Sequence, residues 1–297
     1  MSIKRHVLVV CVLCLTGTAF GQGFEDVEIK SERVADGFYI LTGAGGNLGL
    51  SIGSDGALLI DDQFAPLTER IQAAVRKLAD QPVRFVLNTH WHGDHTGGNE
   101  NFGKAGAVVV AHDNVRKRMN VEQFSKLFDR ATPASPKGAL PIVTFNDTAT
   151  FHFNDATLHV MHLPHAHTDG DSIVHFREAN VIHAGDIYFN GQYPYIDVDA
   201  GGSIDGVIEA VSRVLELADE RTKIIPGHGK LSNREELASY LEMLKSVRES
   251  VASLVKAGNS EEEILAAAPT AAYDDPWAGG FLGTERFVKI LVRSLSE

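Results

Sequence analysis

Cysteine is nearly absent from this 297-residue chain: there are two, Cys11 and Cys14, and both fall within the first 21 residues. Residues 1–21 read as a secretory signal peptide, with a basic start at Lys4 and Arg5, an apolar run over residues 7–15 and a cleavage site at Ala19-Phe20-Gly21. The run is too short to span a bilayer. Cleavage there would leave 276 residues without a thiol, which excludes a disulfide framework despite the oxidising compartment and removes cysteine as metal ligand or nucleophile. Neither cysteine fits the small-residue pattern of a lipoprotein signal. The expectation is a periplasmic or secreted protein with no membrane anchor after signal cleavage.

Positive charge is the second shortage. Lys and Arg number 27 against 39 Asp and Glu, a net of −12 that becomes −14 when Lys4 and Arg5 leave with the signal. Phosphate backbones require clustered cations, so the composition argues against nucleic acid as a partner and leaves a small-molecule substrate. A Pro/Ser-rich linker is also missing, so residues 22–297 read as one domain with a helical part from about residue 232. Nothing in the composition sets the oligomeric state.

The first half alternates short apolar runs with turns. Runs at 38–41, 48–52 and 57–60 are separated by Gly43-Ala44-Gly45-Gly46 and Ser54-Asp55-Gly56, as in hairpins. Pro66 opens a helix with Leu67, Ile71, Val75 and Leu78 on one face, and residues 83–87 form a mostly apolar strand. A strand at 107–110 and a helix from 113 to 130 follow. Thr132-Pro133-Ala134-Ser135-Pro136-Lys137-Gly138 is no regular element, and a mobile flap and a plain surface loop both stay open for it.

The second half has strands at 142–145, 150–153, 158–162, 173–176, 181–184 and 223–225, with a helix at 203–218. Both halves contain a helix, an apolar strand and then a histidine loop, a weak internal symmetry. The C-terminal helices start from capping boxes at Ser232/Glu235 and Ser260/Glu263, with Gly258 ending the first. Their apolar stripes are expected to cover the sheet.

The densest chemical signal is His90-Trp91-His92-Gly93-Asp94-His95, directly after the strand at 83–87. Imidazole and carboxylate suit zinc, and residues two apart on an extended segment face one side, so His90 and His92 can share an ion. Asp94 and His95, past the turn at Gly93, can reach a second. Further on, His165-Ala166-His167-Thr168-Asp169-Gly170, His183-Ala184-Gly185-Asp186 and Gly227-His228-Gly229 each follow an apolar strand.

With these segments the chain resembles the metallo-β-lactamase superfamily from about Val34 to His228. The resemblance implies an α/β fold, a four-layer αβ/βα sandwich with a helical C-terminal extension. It implies His90, His92 and His167 as ligands of a first metal, Asp94, His95 and His228 as ligands of a second, and Asp186 as the bridge found in the glyoxalase II and lactonase branches. The implied cofactor is two Zn2+, with iron or manganese as other candidates, and Asp94 and Asp186 carry the catalytic roles. The branches with a cysteine on the second metal are excluded for a thiol-free mature chain.

Such a centre lowers the pKa of bound water to about 7, giving a metal-bound hydroxide that hydrolyses a lactam, lactone, ester or thioester. β-Lactamase activity is among the expectations. Two other readings stay open: a mononuclear iron oxidoreductase like the persulfide dioxygenases, and a metal-bearing periplasmic accessory protein.

Around the ligands, Asp61 either orients an imidazole or caps a turn. His165, Tyr188 and Tyr193 are candidate substrate-binding residues, with core or rim roles as the alternative for His165 and for His183. His112, His152, His159, His162 and His175 are read as structural. Trp91, Phe189 and Trp277 either line a pocket or pack. Substrate choice is assigned to loops at 43–46, 124–141 and 188–194.

Overall fold

The computed structural model describes residues 23–296; the expected signal peptide and both cysteines lie outside the described residues. The first half contains β1 (Lys30–Ala35), β2 (Phe38–Thr42), β3 (Leu48–Gly53), β4 (Gly56–Ile60), α1 (Thr68–Arg76), β5 (Val83–Leu87), α2 (Gly93–Thr96), α3 (Asn99–Lys104), β6 (Val108–His112), α4 (Asp113–Met119), β7 (Gln123–Ser125) and β8 (Arg130–Thr132). The second contains β9 (Val143–Phe145), β10 (Thr148–Phe153), β11 (Ala156–His162), β12 (Ser172–Phe176), β13 (Val181–Phe189), α5 (Ile204–Leu217), β14 (Lys223–His228), β15 (Ser232–Asn233), α6 (Arg234–Lys256), α7 (Glu261–Ala266), α8 (Asp274–Trp277) and α9 (Thr284–Ser294).

Two sheets follow from these strands, ordered β1-β2-β3-β4-β5-β6-β9 and β10-β11-β12-β13-β14-β15. Alternation along each strand divides its side chains between two layers. In the first sheet, Phe38, Ile40, Leu58 and Ile60 meet Leu158, Val160, Phe176 and Val181 of the second, forming the inner core. Phe38 and Phe176 rings lie 4.1 Å apart across this interface. The intervening residues Leu41, Leu48, Leu50 and Leu59 turn outward onto Leu67, Ile71 and Val75. The second sheet buries Ile182 and Ala184 against α5, α6 and α9 on its far side. The result is the four-layer αβ/βα sandwich. Among the described residues no helix is long and apolar enough to cross a membrane.

Two parallel strand pairs, β4-β5 and β13-β14, run side by side toward one edge of the sandwich. Their C-terminal ends deliver most of the histidine and aspartate segments, as open sheets with parallel strands favour.

Two local expectations are corrected. The helix from 113 stops at Met119, and residues 123–132 form a β-hairpin turning through Asp129, at φ 47°. Leu127 and Phe128 find apolar partners in the core beneath the second sheet, and this contact outweighs the weak helical periodicity. At α6 the cap is Asn233, which accepts from the Glu236 amide, because Ser232 is paired in β15 and hydrogen-bonded to Tyr188. The Ser260/Glu263 box forms as read. After the hairpin the chain is tied down: the Ser135 amide donates to the Met119 carbonyl, and Ala139 and Leu140 pack with Val115 and Met119.

Candidate metal centre

His90 and His92 leave the end of β5 on extended backbone, and His92 precedes the single turn of α2 that carries Asp94 and His95. His167 comes from the loop after β11, Asp186 from within β13, and His228 from the last position of β14. The β13 register is interrupted on both sides of Gly185, which lies at φ 54°, and this bulge aims Asp186 into the site. Close approach is enforced by missing side chains. A Cβ on Gly227 would collide with Asp186 Oδ1, and one on Gly46 would enter the His95 ring.

The seven side chains form two abutting groups, His90/His92/His167/Asp186 and Asp94/His95/His228, each with its ligand atoms within 4.8 Å of one another. His92 Nδ1 lies 3.0 Å from His90 Nε2 and 2.8 Å from His167 Nε2. In the other group, His228 Nε2 is 3.3 Å from Asp94 Oδ2. The Asp186 carboxylate faces both groups, 3.1 Å from His95 Nε2, 3.4 Å from His228 Nε2 and 3.6 Å from His167 Nε2. The His95 Nε2 to Asp186 Oδ1 approach lacks hydrogen-bond geometry, so among the described residues both buried atoms are without a hydrogen-bond partner. Buried donors and acceptors are ordinarily satisfied, and converging imidazole nitrogens around a carboxylate are what a divalent cation would satisfy. The donor set therefore fits the expected metals.

The remaining ring nitrogens are held by the protein, which fixes the tautomers. Asp61 accepts from His95 Nδ1 at 2.8 Å and from the Thr89 amide and hydroxyl at 2.7 Å each, settling its role as an orienting residue. Thr89 Oγ1 in turn accepts from His90 Nδ1 at 3.1 Å. His167 Nδ1 donates to the Tyr195 carbonyl at 2.7 Å. Asp197 accepts from His92 Nε2 at 2.9 Å. Sequence reasoning missed Asp197, since no spacing rule links it to a histidine 105 positions earlier.

Electrostatics divides the imidazoles. Burial holds His90 well below the ordinary histidine value and His167 at about 4, so both are neutral donors of a lone pair. Burial also disfavours charge on His228, but Asp186 and Asp94 outweigh it and raise His228 to about 9. Asp94 is pushed up by burial, yet His95 and the His228 hydrogen bond hold it at about 2. Asp186, against the same burial penalty, is kept well below the usual carboxylate range by His95 and His228.

A cavity of about 740 Å³ opens over the centre, with His92, Asp94, Asp186 and His228 on its floor. All three loops assigned to substrate choice contribute to it, through Gly45, the hairpin residues Phe124 to Thr132, and Phe189. Trp91 also lines it.

The candidate substrate residues are corrected. Tyr188 is fully buried, with its hydroxyl on Ser232 Oγ at 2.8 Å. Tyr193 is buried against Phe287 with its hydroxyl on Asp274 at 2.8 Å. His165 is exposed, pairs with the Gly201 carbonyl, and lies outside the cavity wall. The tyrosine that does line the cavity is Tyr195, stacked on His92. Trp277 packs in the core below the second sheet, and His183 is a core residue donating to the Asn47 carbonyl. Phe281 and Arg286, from the C-terminal region read only as cover for the sheet, also line the cavity.

Residues 42–228 match the sequence profile described as the Metallo-beta-lactamase superfamily. The chain belongs to this superfamily. Among relatives of this metallo-β-lactamase-fold protein is the acyl-coenzyme A thioesterase MBLAC2 of Gallus gallus, 25% identical over 166 residues covering 52% of this chain and 59% of the thioesterase. A hydroxyacylglutathione hydrolase of Erythrobacter litoralis is 30% identical over 108 residues, 36% of this chain and 35% of that enzyme. The chain thus spans less than two thirds of these relatives. A metallo-β-lactamase from Pontibacter korlensis superposes with a TM-score of 0.61 at 20% identity, covering 73% of this chain and 99% of that one. A double mutant of the sec-alkyl sulfatase PisA1 gives 0.68 at 17% identity, covering 89% of this chain and 50% of that one. These structures establish the fold. Family membership and the His/Asp centre together support the binding of divalent metal.

Proposed function

We propose that this protein is an exported dinuclear zinc hydrolase that cleaves an acyl bond in a lactam, lactone, ester or thioester. The observation that carries the reading is the position of the Asp186 carboxylate between two groups of ligand atoms, its Oδ1 buried without a hydrogen-bond partner among the described residues. Two divalent cations held there would acidify water and polarise a carbonyl.

The chain's own residues supply the rest. Asp94 stays ionised far below neutral pH, so its carboxylate accepts a hydrogen bond from the attacking water and aims a lone pair at the acyl carbon. Asp186 keeps the two histidine groups at a fixed separation. Asp61, Asp197 and the Tyr195 carbonyl lock three ligand rings before substrate arrives, as preorganised sites require. Phe189 stacks on His228 and limits water around the second group.

The test is elemental analysis of the purified protein together with a panel of chromogenic lactam, lactone and thioester substrates. Two zinc ions per chain and a loss of at least about 10²-fold in kcat for Asp94→Ala are expected. One iron and no zinc, or a rate indifferent to Asp94→Ala, would overturn the reading.

A further inference from the structure

The outer half of the cavity has a chemistry of its own. A ladder of rings climbs its wall from the metal centre: His92 to Tyr195 at 5.6 Å, Tyr195 to Phe128 at 5.4 Å, and Phe128 to Phe281 at 5.7 Å. Phe281 is 64% exposed, and Phe124, which lines the same cavity from the hairpin, is 52% exposed. Large aromatic surface left open to water around a concave site marks where an apolar ligand lies.

The mouth also carries two cations, Arg130 from β8 and Arg286 from α9. Arg286 sits over the Phe128 ring, 5.8 Å from its centroid. Among the described residues neither arginine has a carboxylate within 4.0 Å, although the chain has a large acidic excess. The cavity's own carboxylates are engaged elsewhere. Asp94 and Asp186 face the histidines, Asp197 holds His92, and Asp199 pairs with Arg293. Two planar guanidiniums from separate elements lining one cavity, with no ion-pair partner among the described residues, are suited to fork around an anionic group.

We infer that Arg130 and Arg286 form an anion subsite, and that the preferred substrate has a flat apolar body carrying a carboxylate, phosphate or sulfonate roughly 10 Å from the scissile bond, two ring spacings along the ladder. The apolar body lies along Tyr195 and Phe128, the anion is held at the rim, and the acyl carbon reaches the floor between Asp94 and His228. This deepens the hydrolase reading and rests on it for its kinetic arm.

The metal-loaded protein is tested with 2-naphthyl acetate and its 6-sulfonate, and separately by calorimetric binding of the products, 2-naphthol and 6-hydroxynaphthalene-2-sulfonate. The sulfonated ester is expected to be preferred about tenfold in kcat/KM, mainly through KM, with the preference shrinking as ionic strength rises. In Arg130→Ala and Arg286→Ala the ratio falls toward one, Arg286→Lys restores part of it, and the binding preference follows the same order. Turnover of both esters at equal efficiency, with equal product binding, overturns the subsite and leaves the hydrolase reading standing. Arginine-dependent product binding without turnover of either ester upholds the subsite and excludes these aryl acetates as substrates, leaving the hydrolase reading to its own metal analysis and substrate panel.

Discussion

Asp197 Oδ2 lies 2.9 Å from His92 Nε2, which turns the His92 Nδ1 lone pair toward His90 and His167. The aspartate is itself fixed, because its other oxygen accepts from the Ala200 amide in the turn that follows. Asp197→Ala is expected to weaken metal affinity about 10- to 100-fold, with Asp197→Asn intermediate. Competition against a chromogenic chelator measures this without any substrate, and unchanged affinity would remove Asp197 from the positioning role.

Gly46 packs its backbone against the His95 imidazole so closely that an added Cβ enters the ring. Gly46→Ala is therefore expected to displace His95 from Asp61 and to cost about 1 to 3 kcal/mol of stability through overpacking. The metal bound per chain should fall selectively at the group containing His95. Full retention of metal and melting temperature would contradict the close approach.

The pH dependence of metal binding follows from His228. Its metal-free pKa of about 9 means that it carries a proton at pH 7, which must leave when the nitrogen becomes a ligand. Apparent metal affinity should therefore rise with pH toward about 9, with proton release visible as buffer-dependent binding heats. The sign for the metal-free fold is opposite. A histidine raised from 6.5 stabilises fully below 6.5, and that contribution is lost as pH rises through about 9. Asp94, lowered to about 2, contributes above its ordinary 3.8 and loses its contribution as pH falls toward about 2. Melting curves with and without chelator, from pH 6 to 9.5, check the first two signs.

Tyr188 and Tyr193 serve the core beneath the second sheet. Removing either hydroxyl by Tyr→Phe deletes one hydrogen bond, to Ser232 or to Asp274, each of which keeps a second partner in Glu236 or Thr284, and should cost about 0.5 to 1.5 kcal/mol in stability. KM for any substrate found should not move. A KM effect larger than the stability loss explains would return these tyrosines to the substrate site.

Much of the layered fold is legible along the chain, because each layer is written in local periodicity. The alternation of Phe38, Ile40, Leu58 and Ile60 with Leu41 and Leu59 separates the inner core from the helix-facing one. The stretch after Met119 was not legible, since the hairpin's apolar residues are satisfied by contacts distant in sequence. Tyr195 illustrates the same difficulty. Its place on the cavity wall depends on the path of the chain after β13, whereas Tyr188 and Tyr193 lie nearer to Asp186 in sequence and yet point into the core.

What the sequence by itself determined is the donor set: residues two apart on a strand end must share a side, so His90-Trp91-His92-Gly93-Asp94-His95 specifies a metal-binding segment whatever surrounds it. Only the tertiary structure decided which groups hold those ligands and what stands above them. Asp61, Asp197, the ring ladder and the two rim arginines come from elements far apart in the chain, and local periodicity carries no information about which distant side chains packing will bring to one cavity.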